Sequence, residues 1–209
     1  NTDYVVRARS VCGDTSSLWT YRYFTTEVKD FARIYVTMIG QGEGNSWATA
    51  CNDLNYALST ASRIASVFGH TPDIWVAAGT YYGDTASTNA FTMAQGVNVY
   101  GGFVGNEPSD YDVSLRDVET NTTVLDGRHS RRVLLQPSAF TVQTTWDGFT
   151  IQNGNISSYG GGAYLRSRSY LSHCKLVNNH ASYGGGAYVA GYGSVIRDCR
   201  VSDNSAVYK

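Results

Sequence analysis

Lysine is nearly absent from this chain: only Lys29, Lys175 and Lys209 occur in 209 residues. Charged side chains of all kinds make up 16%, against roughly a quarter in ordinary soluble proteins. The formal net charge is −1, from 16 basic and 17 acidic residues. Nothing in that balance calls for nucleic acid or an anionic membrane as a partner. No apolar run approaches the roughly 18 residues of a membrane-spanning helix. There is no CxxC pair. Cys12, Cys51, Cys174 and Cys199 do not combine with His70, His129, His173 and His180 at zinc-ligand spacing. No metal site and no cofactor are expected. What is plentiful is glycine, at 22, and tyrosine, at 16. Low charge with much Gly, Tyr, Asn, Ser and Thr leans toward a secreted all-β protein rather than a cytosolic enzyme.

The segment 1–26 reads as a β-hairpin. "DYVVRAR" (3–9) alternates like a half-buried strand, "CGDTSS" is turn chemistry, and "LWTYRYFTT" alternates again. Trp19, Tyr21 and Tyr23 share one face of the second strand, with Leu18, Arg22 and Phe24 near the other. An isolated hairpin is marginal in water, so it needs partners. The segment 27–32 reads as a linker.

From residue 33 the pattern changes to strand, loop, helix, strand. "RIYV" (33–36) is β-branched and aromatic. A helix is predicted over about 47–67, N-capped by Asn45 or Ser46. Trp47, Ala50, Cys51, Leu54, Ala57, Leu58, Ala61, Ile64 and Ala65 recur at three- and four-residue intervals as one apolar stripe, with Asp53 on the opposite side. Gly40, Gly42 and Gly44 lack the Lys-Ser/Thr of a phosphate loop and read as a flexible connection.

Beyond residue 74 short strands recur. They align on Val76, Val99, Leu125, Ile151, Leu176 and Val201, with successive offsets of 23, 26, 26, 25 and 25. A near-constant period of this length marks a solenoid. Three short strands per period, with Gly, Asn and Asp at corners, predict one coil of a parallel β-helix. Equivalent side chains should then stack. Phe149, Cys174 and Cys199 form one inward column, and Ile151, Leu176 and Val201 the next. Ala163 and Ala187 point inward on the second strand, as do Leu171 and Ile196 on the third. Asn153, Asn178 and Asp203 align at a corner, as do Gly154, Asn179 and Asn204. Cys174 and Cys199 are expected to be neighbouring free thiols, because a disulfide between in-register parallel strands strains its geometry. "SYGGGAY" occurs twice, at 158–164 and 182–188. Its glycines are expected where adjacent coils turn tightly, with Ala inward and Tyr outward.

The repeats "GGAY" (161–164 and 185–188), "LVNN" (176–179) and "VSDN" (201–204) resemble those of right-handed β-helix proteins of the pectate-lyase-like superfamily. Surface proteins of Bacteroidetes and chlamydial polymorphic outer-membrane proteins are the nearer resemblance. "SWATACNDLNYAL", "IWVAAGTYY" and "VNVYGGFVGNE" are similar to the start of such domains, and Leu176 and Val201 stand where those repeats carry Phe. "YVVRARSVCGDTSSLWTYRYFTT" resembles the last two strands of a fibronectin type III domain, with Tyr4 at the tyrosine corner. Together these imply an all-β architecture. A truncated fibronectin-like hairpin precedes a right-handed parallel β-helix over 33–209 whose N-terminal amphipathic helix caps the core. They also imply an extracellular or cell-surface location and a segment of a longer protein. The implied role is adhesin-like or structural.

Enzymes of the same superfamily place carboxylates and Arg or Lys on one outer face. The corresponding candidates here are Asp126, Asp147 and Arg128, and the alternative function is a polysaccharide lyase or glycoside hydrolase. Asp126 and Asp147 fall in nearby coils and are read as a pair that can approach, although both also sit in turn-forming contexts. The ligand-binding candidates are Tyr159, Tyr164, Tyr183 and Tyr188, in outward rows that suit a polysaccharide or a surface protein as partner. Cys174, Cys199, Asn178, Asn179 and Asn204 are structural candidates. The long loop 105–122 is read as a surface loop anchored by an Arg116–Asp117 pair.

Overall fold

A computed structural model of the chain describes residues 2–8, 11–12, 15–16, 20–26 and 29–208, with side chains from residue 29 onward. It divides into two compact units, 1–30 and 31–209. In the first, Thr2–Ala8 pairs antiparallel with Thr20–Thr26, and Val11–Cys12 with Thr15–Ser16. Leu18 and Trp19 lie outside the described residues. So do the side chains of Tyr4, Cys12, Tyr21, Arg22, Tyr23 and Phe24, and with them the facial pattern and the tyrosine corner.

The second unit is a parallel β-solenoid of about five turns. Every pairing described in it is parallel, and three sheets run along it. Face I stacks Gly79–Tyr81, Thr123–Asp126, Phe149–Gln152, Lys175–Val177 and Arg200–Ser202. Face II stacks Asn89–Thr92, Arg132–Leu135, Ala163–Leu165 and Ala187–Val189. Face III stacks Arg33–Val36, Asp73–Ala77, Val99–Phe103, Thr144–Asp147, Ser169–Ser172 and Val195–Arg197. The later coils also carry a fourth strand between faces I and II. There Asn155–Tyr159, His180–Tyr183 and Ser205–Ala206 form a short edge sheet. The three-strand coil expected from the sequence is therefore a four-strand coil in this half.

The core is a set of registered columns. On face III, Ile34, Ile74, Val99, Trp146, Leu171 and Ile196 stack in sequence. The first five are fully buried, each contributing about 1.5–3 kcal/mol. On face I the column runs Tyr81, Leu125, Ile151, Leu176, Val201. Val76 and Val99 thus belong to face III, not to the face I column that their spacing suggests. The segment 104–122 is an insertion nearly as long as one coil, so skipping from face III to face I across it mimics one regular period.

The helix runs Leu54–Phe68 and so starts later than the sequence predicts. Trp47–Thr49 is a separate 3-10 turn. Between them Ala50 leaves helical geometry and Cys51 bridges the first strand, its N–H donating to Tyr35 O and its carbonyl accepting from the Thr37 N–H. The N-cap is Asp53, whose Oδ1 accepts from the Asn55 and Tyr56 N–H groups. Gly69, left-handed at φ 76°, closes the other end. Leu54, Ala57, Leu58, Ala61 and Ile64 are buried against the first strands of faces II and III, so the helix covers that end of the core. The glycine loop before it is also fixed rather than flexible, because Gly42 and Gly44 donate to Ala50 O and Thr49 O.

The two glycine triplets lie directly on each other. The N–H groups of Gly160, Gly161, Gly162 and Ala163 donate to the carbonyls of Tyr183, Gly184, Gly185 and Gly186. A Cβ on Gly161 would overlap His180 O, and one on Gly162 would overlap Gly186 O. Side-chain-free backbone is the only solution at this contact. Ala163 is fully buried behind it. Next to it runs an asparagine ladder. Asn179, 1% exposed, accepts at Oδ1 from the Gly154 N–H and donates from Nδ2 to Ile151 O and Asn204 Oδ1. Asn204 repeats the pattern one coil on, donating to Leu176 O and accepting from the Asn179 N–H. Asn153, Asn178 and Asp203 at the preceding position are all left-handed, at φ 55–57°.

Candidate functional site

The edge sheet and face II meet at a tight corner through left-handed Gly160 and Gly184. This turn brings the tyrosine before each triplet beside the tyrosine after it. Tyr159 stacks on Tyr183 at 5.1 Å between centroids and lies 4.6 Å from Tyr188. Tyr164 stacks on Tyr188 at 5.8 Å, and Tyr183 on Tyr208 at 5.0 Å. All four tyrosines singled out in the sequence therefore fall in one cluster. Tyr208 and two arginines were missed. Tyr208 lies one regular coil period after Tyr183, which was the available signal for it.

The arginines organise the cluster from beneath. Arg132, 9% exposed, donates from Nε and a terminal nitrogen to Tyr159 O, and from Nε to Gly160 O. Its guanidinium lies 5.3 Å from the Tyr164 ring centroid, and that of Arg166 lies 5.1 Å away. Cation–π contacts of this kind polarise and fix the ring. Tyr159, Tyr183 and Tyr208 remain 41%, 37% and 55% exposed, while Tyr164 and Tyr188 are half-buried. The result is a rigid aromatic edge with backbone on one side and solvent on the other. Such an edge offers flat apolar faces with hydroxyls at their rims.

The carboxylate candidates do not converge. Asp126 accepts from the Arg128 N–H at Oδ1 and from Gln152 Nε2 and Asn153 Nδ2 at Oδ2, which makes it the organiser of a turn. The Arg128 guanidinium stacks on Tyr82, 3.9 Å from its centroid. Asp147 ends a face III strand, whereas Asp126 pairs with Gln152 at the far end of a face I strand. The strand Phe149–Gln152 spans the distance between those ends, about 10 Å at ~3.3 Å per residue. The two carboxyls also share no hydrogen-bond partner, Asp126 being held by the Arg128 N–H, Gln152 and Asn153 and Asp147 by Arg116, Ser172 and His173.

Asp147 instead anchors the long loop. Its Oδ1 lies 2.5 Å from the Arg116 guanidinium, with the Arg116 and Asp147 side chains 8% and 9% exposed. Arg116 also donates to Gly101 O and Val113 O. The expected Arg116–Asp117 pair is thus replaced by Arg116–Asp147, and Asp117 caps a turn through the Glu119 and Thr120 N–H groups. Tyr111 and Val113 of the same loop pack outside face III against Tyr35, Ala50, Trp75 and Phe103. At Oδ2, Asp147 accepts from Ser172 Oγ at 2.6 Å and from His173 Nδ1 at 2.8 Å. Burial raises its pKa, but the hydrogen bonds from Ser172, His173 and Arg116 outweigh that and hold it below the ordinary carboxylate value. His173 is half exposed and left-handed at φ 50°. Sequence reasoning missed this contact, which joins side chains in neighbouring coils.

Cys174 and Cys199 are both free thiols in neighbouring coils. The Cys174 N–H donates to Cys199 Sγ. Burial pushes the Cys174 thiol well up, whereas hydrogen bonding from the Cys174 thiol, and to a lesser degree from its N–H, brings Cys199 down to about 7. No group of three or more His, Cys, Asp or Glu side chains suited to a metal ion occurs among the described residues. No described helix is long and apolar enough to cross a membrane. No family model, curated protein or solved structure matches this chain. The superfamily-level and fibronectin-like resemblances therefore rest on the sequence motifs alone.

Proposed function

We propose that this chain is a non-enzymatic recognition module of a secreted or cell-surface bacterial protein, with an adhesin-like role. In this reading the β-helix is a stiff scaffold of the pectate-lyase-like kind, and the N-terminal hairpin is the end of a fibronectin-like spacer. The observation that carries the reading is the tyrosine edge. Tyr159, Tyr183 and Tyr208 form a continuous stacked row whose exposed rings are held by backbone register and by Arg132. Exposed aromatic rows held this way suit the apolar faces of sugar rings or the rim of a partner protein.

A second reading is favoured by one observation only. The Asp147–His173 pair holds a half-exposed histidine against a carboxylate, the arrangement of a general base and its orienting group. A polysaccharide lyase or glycoside hydrolase would need a second group beside it, and Asp126 sits at the other end of face I. One experiment separates the readings. The protein is incubated with a panel of insoluble and soluble polysaccharides and scored for retention and for released reducing ends or unsaturated uronates. Retention without product is the expected result. Product release abolished by His173→Ala would replace this reading with the enzymatic one.

A further inference from the structure

A cleft of about 610 Å³ lies at the helix-capped end, away from the tyrosine edge. One wall is the helix N-terminus with Asn52, Asp53 and Asn55, and the other is the segment from Thr80 to Thr92. Its size is within the usual range of roughly 300–1,000 Å³ for small-molecule sites. The walls are pinned. Asn55 Nδ2 and the Asp84 N–H both donate to Ala90 O, Arg131 donates to Asp84 O, and the Thr80 N–H donates to Met38 Sδ. The cleft is therefore preformed and needs no closure to bind.

Its chemistry is specific. Tyr82 lines it, 40% exposed, with the Arg128 guanidinium stacked on the ring. The Asn52 amide and the Tyr82 hydroxyl have no hydrogen-bond partner among the described residues. Asp53 and Asp84 each commit Oδ1 to backbone N–H groups and keep the second oxygen for a ligand. Amides, hydroxyls and carboxylate acceptors around an aromatic ring match the dense hydroxyls and C–H faces of a sugar. Among the described residues no Lys or Arg lines the cleft, and two carboxylates do. Two cations flank it, Arg128 on the Tyr82 ring and Arg131 on Asp84 O, and offset the two carboxylates. The cleft is therefore close to neutral and offers no bidentate clamp for the carboxylates of an anionic sugar.

We propose that this cleft binds a short neutral oligosaccharide of about disaccharide size, with Tyr82 as the stacking platform and Asn52 and Asp84 as hydroxyl ligands. The site stands independently of the tyrosine edge. The test is amide-resonance mapping of the whole chain titrated separately with cellobiose, N,N′-diacetylchitobiose and digalacturonic acid. At least one neutral disaccharide is expected to shift Asn52, Tyr82 and Asn89, and digalacturonic acid to shift none of them. Tyr82→Ala and Asn52→Ala should each weaken binding, the former about tenfold or more. Asn52 is exposed, so its variant keeps the test valid if Tyr82→Ala disturbs the fold. Three results would overturn the proposal. They are no perturbation of the cleft by either neutral sugar, tighter binding of digalacturonic acid, or binding unchanged in both variants.

Discussion

Asn178 and Asn179 are adjacent, identical in chemistry and opposite in what they do. Asn179 is buried and bonds Gly154 N–H, Ile151 O and Asn204 Oδ1. Asn179→Ala leaves the buried Gly154 N–H without a partner, a loss of about 1–3 kcal/mol. The Ile151 carbonyl loses one of its hydrogen bonds, a smaller effect, and a small void replaces the amide. Together these cost about 2–4 kcal/mol. Asn178 occupies a left-handed position at φ 55°. Asn178→Gly relieves backbone strain there and should be neutral or stabilising by up to about 1 kcal/mol. Urea unfolding followed by tryptophan fluorescence, to which Trp146, fully buried one coil away, contributes, reads both variants. Solenoids do not always unfold in one step, so hydrogen exchange at Gly154 is the local check, and only Asn179→Ala should accelerate it. Equal effects at the two positions, or a loss below about 1 kcal/mol for Asn179→Ala, would refute the ladder as the element that binds the coils.

Asp147→Asn breaks a buried ion pair and should cost about 3 kcal/mol, with limited proteolysis cutting within 104–122 earlier than in the parent. The pKa of Asp147 is depressed in the folded state, so its stabilisation is complete above the ordinary carboxylate value of 3.8 and is lost as pH falls through its lower folded value. Acid titration of stability should therefore flatten in Asp147→Asn. Gly162→Ala forces a Cβ into Gly186 O and should destabilise by roughly 1–3 kcal/mol, measured by thermal melting. Iodoacetamide at neutral pH should alkylate Cys199 well before buried Cys174 and Cys51, read by peptide mass mapping; Cys174 reacting first would contradict the assigned order.

The parts of the fold visible in the sequence are those that the regular coil period makes repetitive. Leu125, Ile151, Leu176 and Val201 fall in one column because regular coils repeat without insertion. The asparagine corners are visible because a left-handed turn restricts residue type. The first coils align wrongly because an insertion close to one period in length hides its own presence. Trp47 falls on the helical stripe because three- and four-residue spacing does not reveal that Cys51 bonds to the first strand. Instead it packs on Tyr35 and Phe103, outside the solenoid. The four tyrosines are legible because they flank the glycine triplets. Arg132 beneath them, and His173 and Arg116 on Asp147, depend on contacts between side chains and backbone a full coil or more apart in the chain. No short-range pattern encodes such contacts.

The tyrosine edge is tested most directly by removing its rings. Retention on a polysaccharide and cell-surface panel should be compared between the parent and Tyr159→Ser/Tyr183→Ser, with circular dichroism verifying an unchanged β-signal. Both rings are over a third exposed, so their removal leaves the core columns in place. Retention is expected to fall about tenfold or more while the fold persists. Retention unchanged in the folded double variant would contradict a recognition role for this edge.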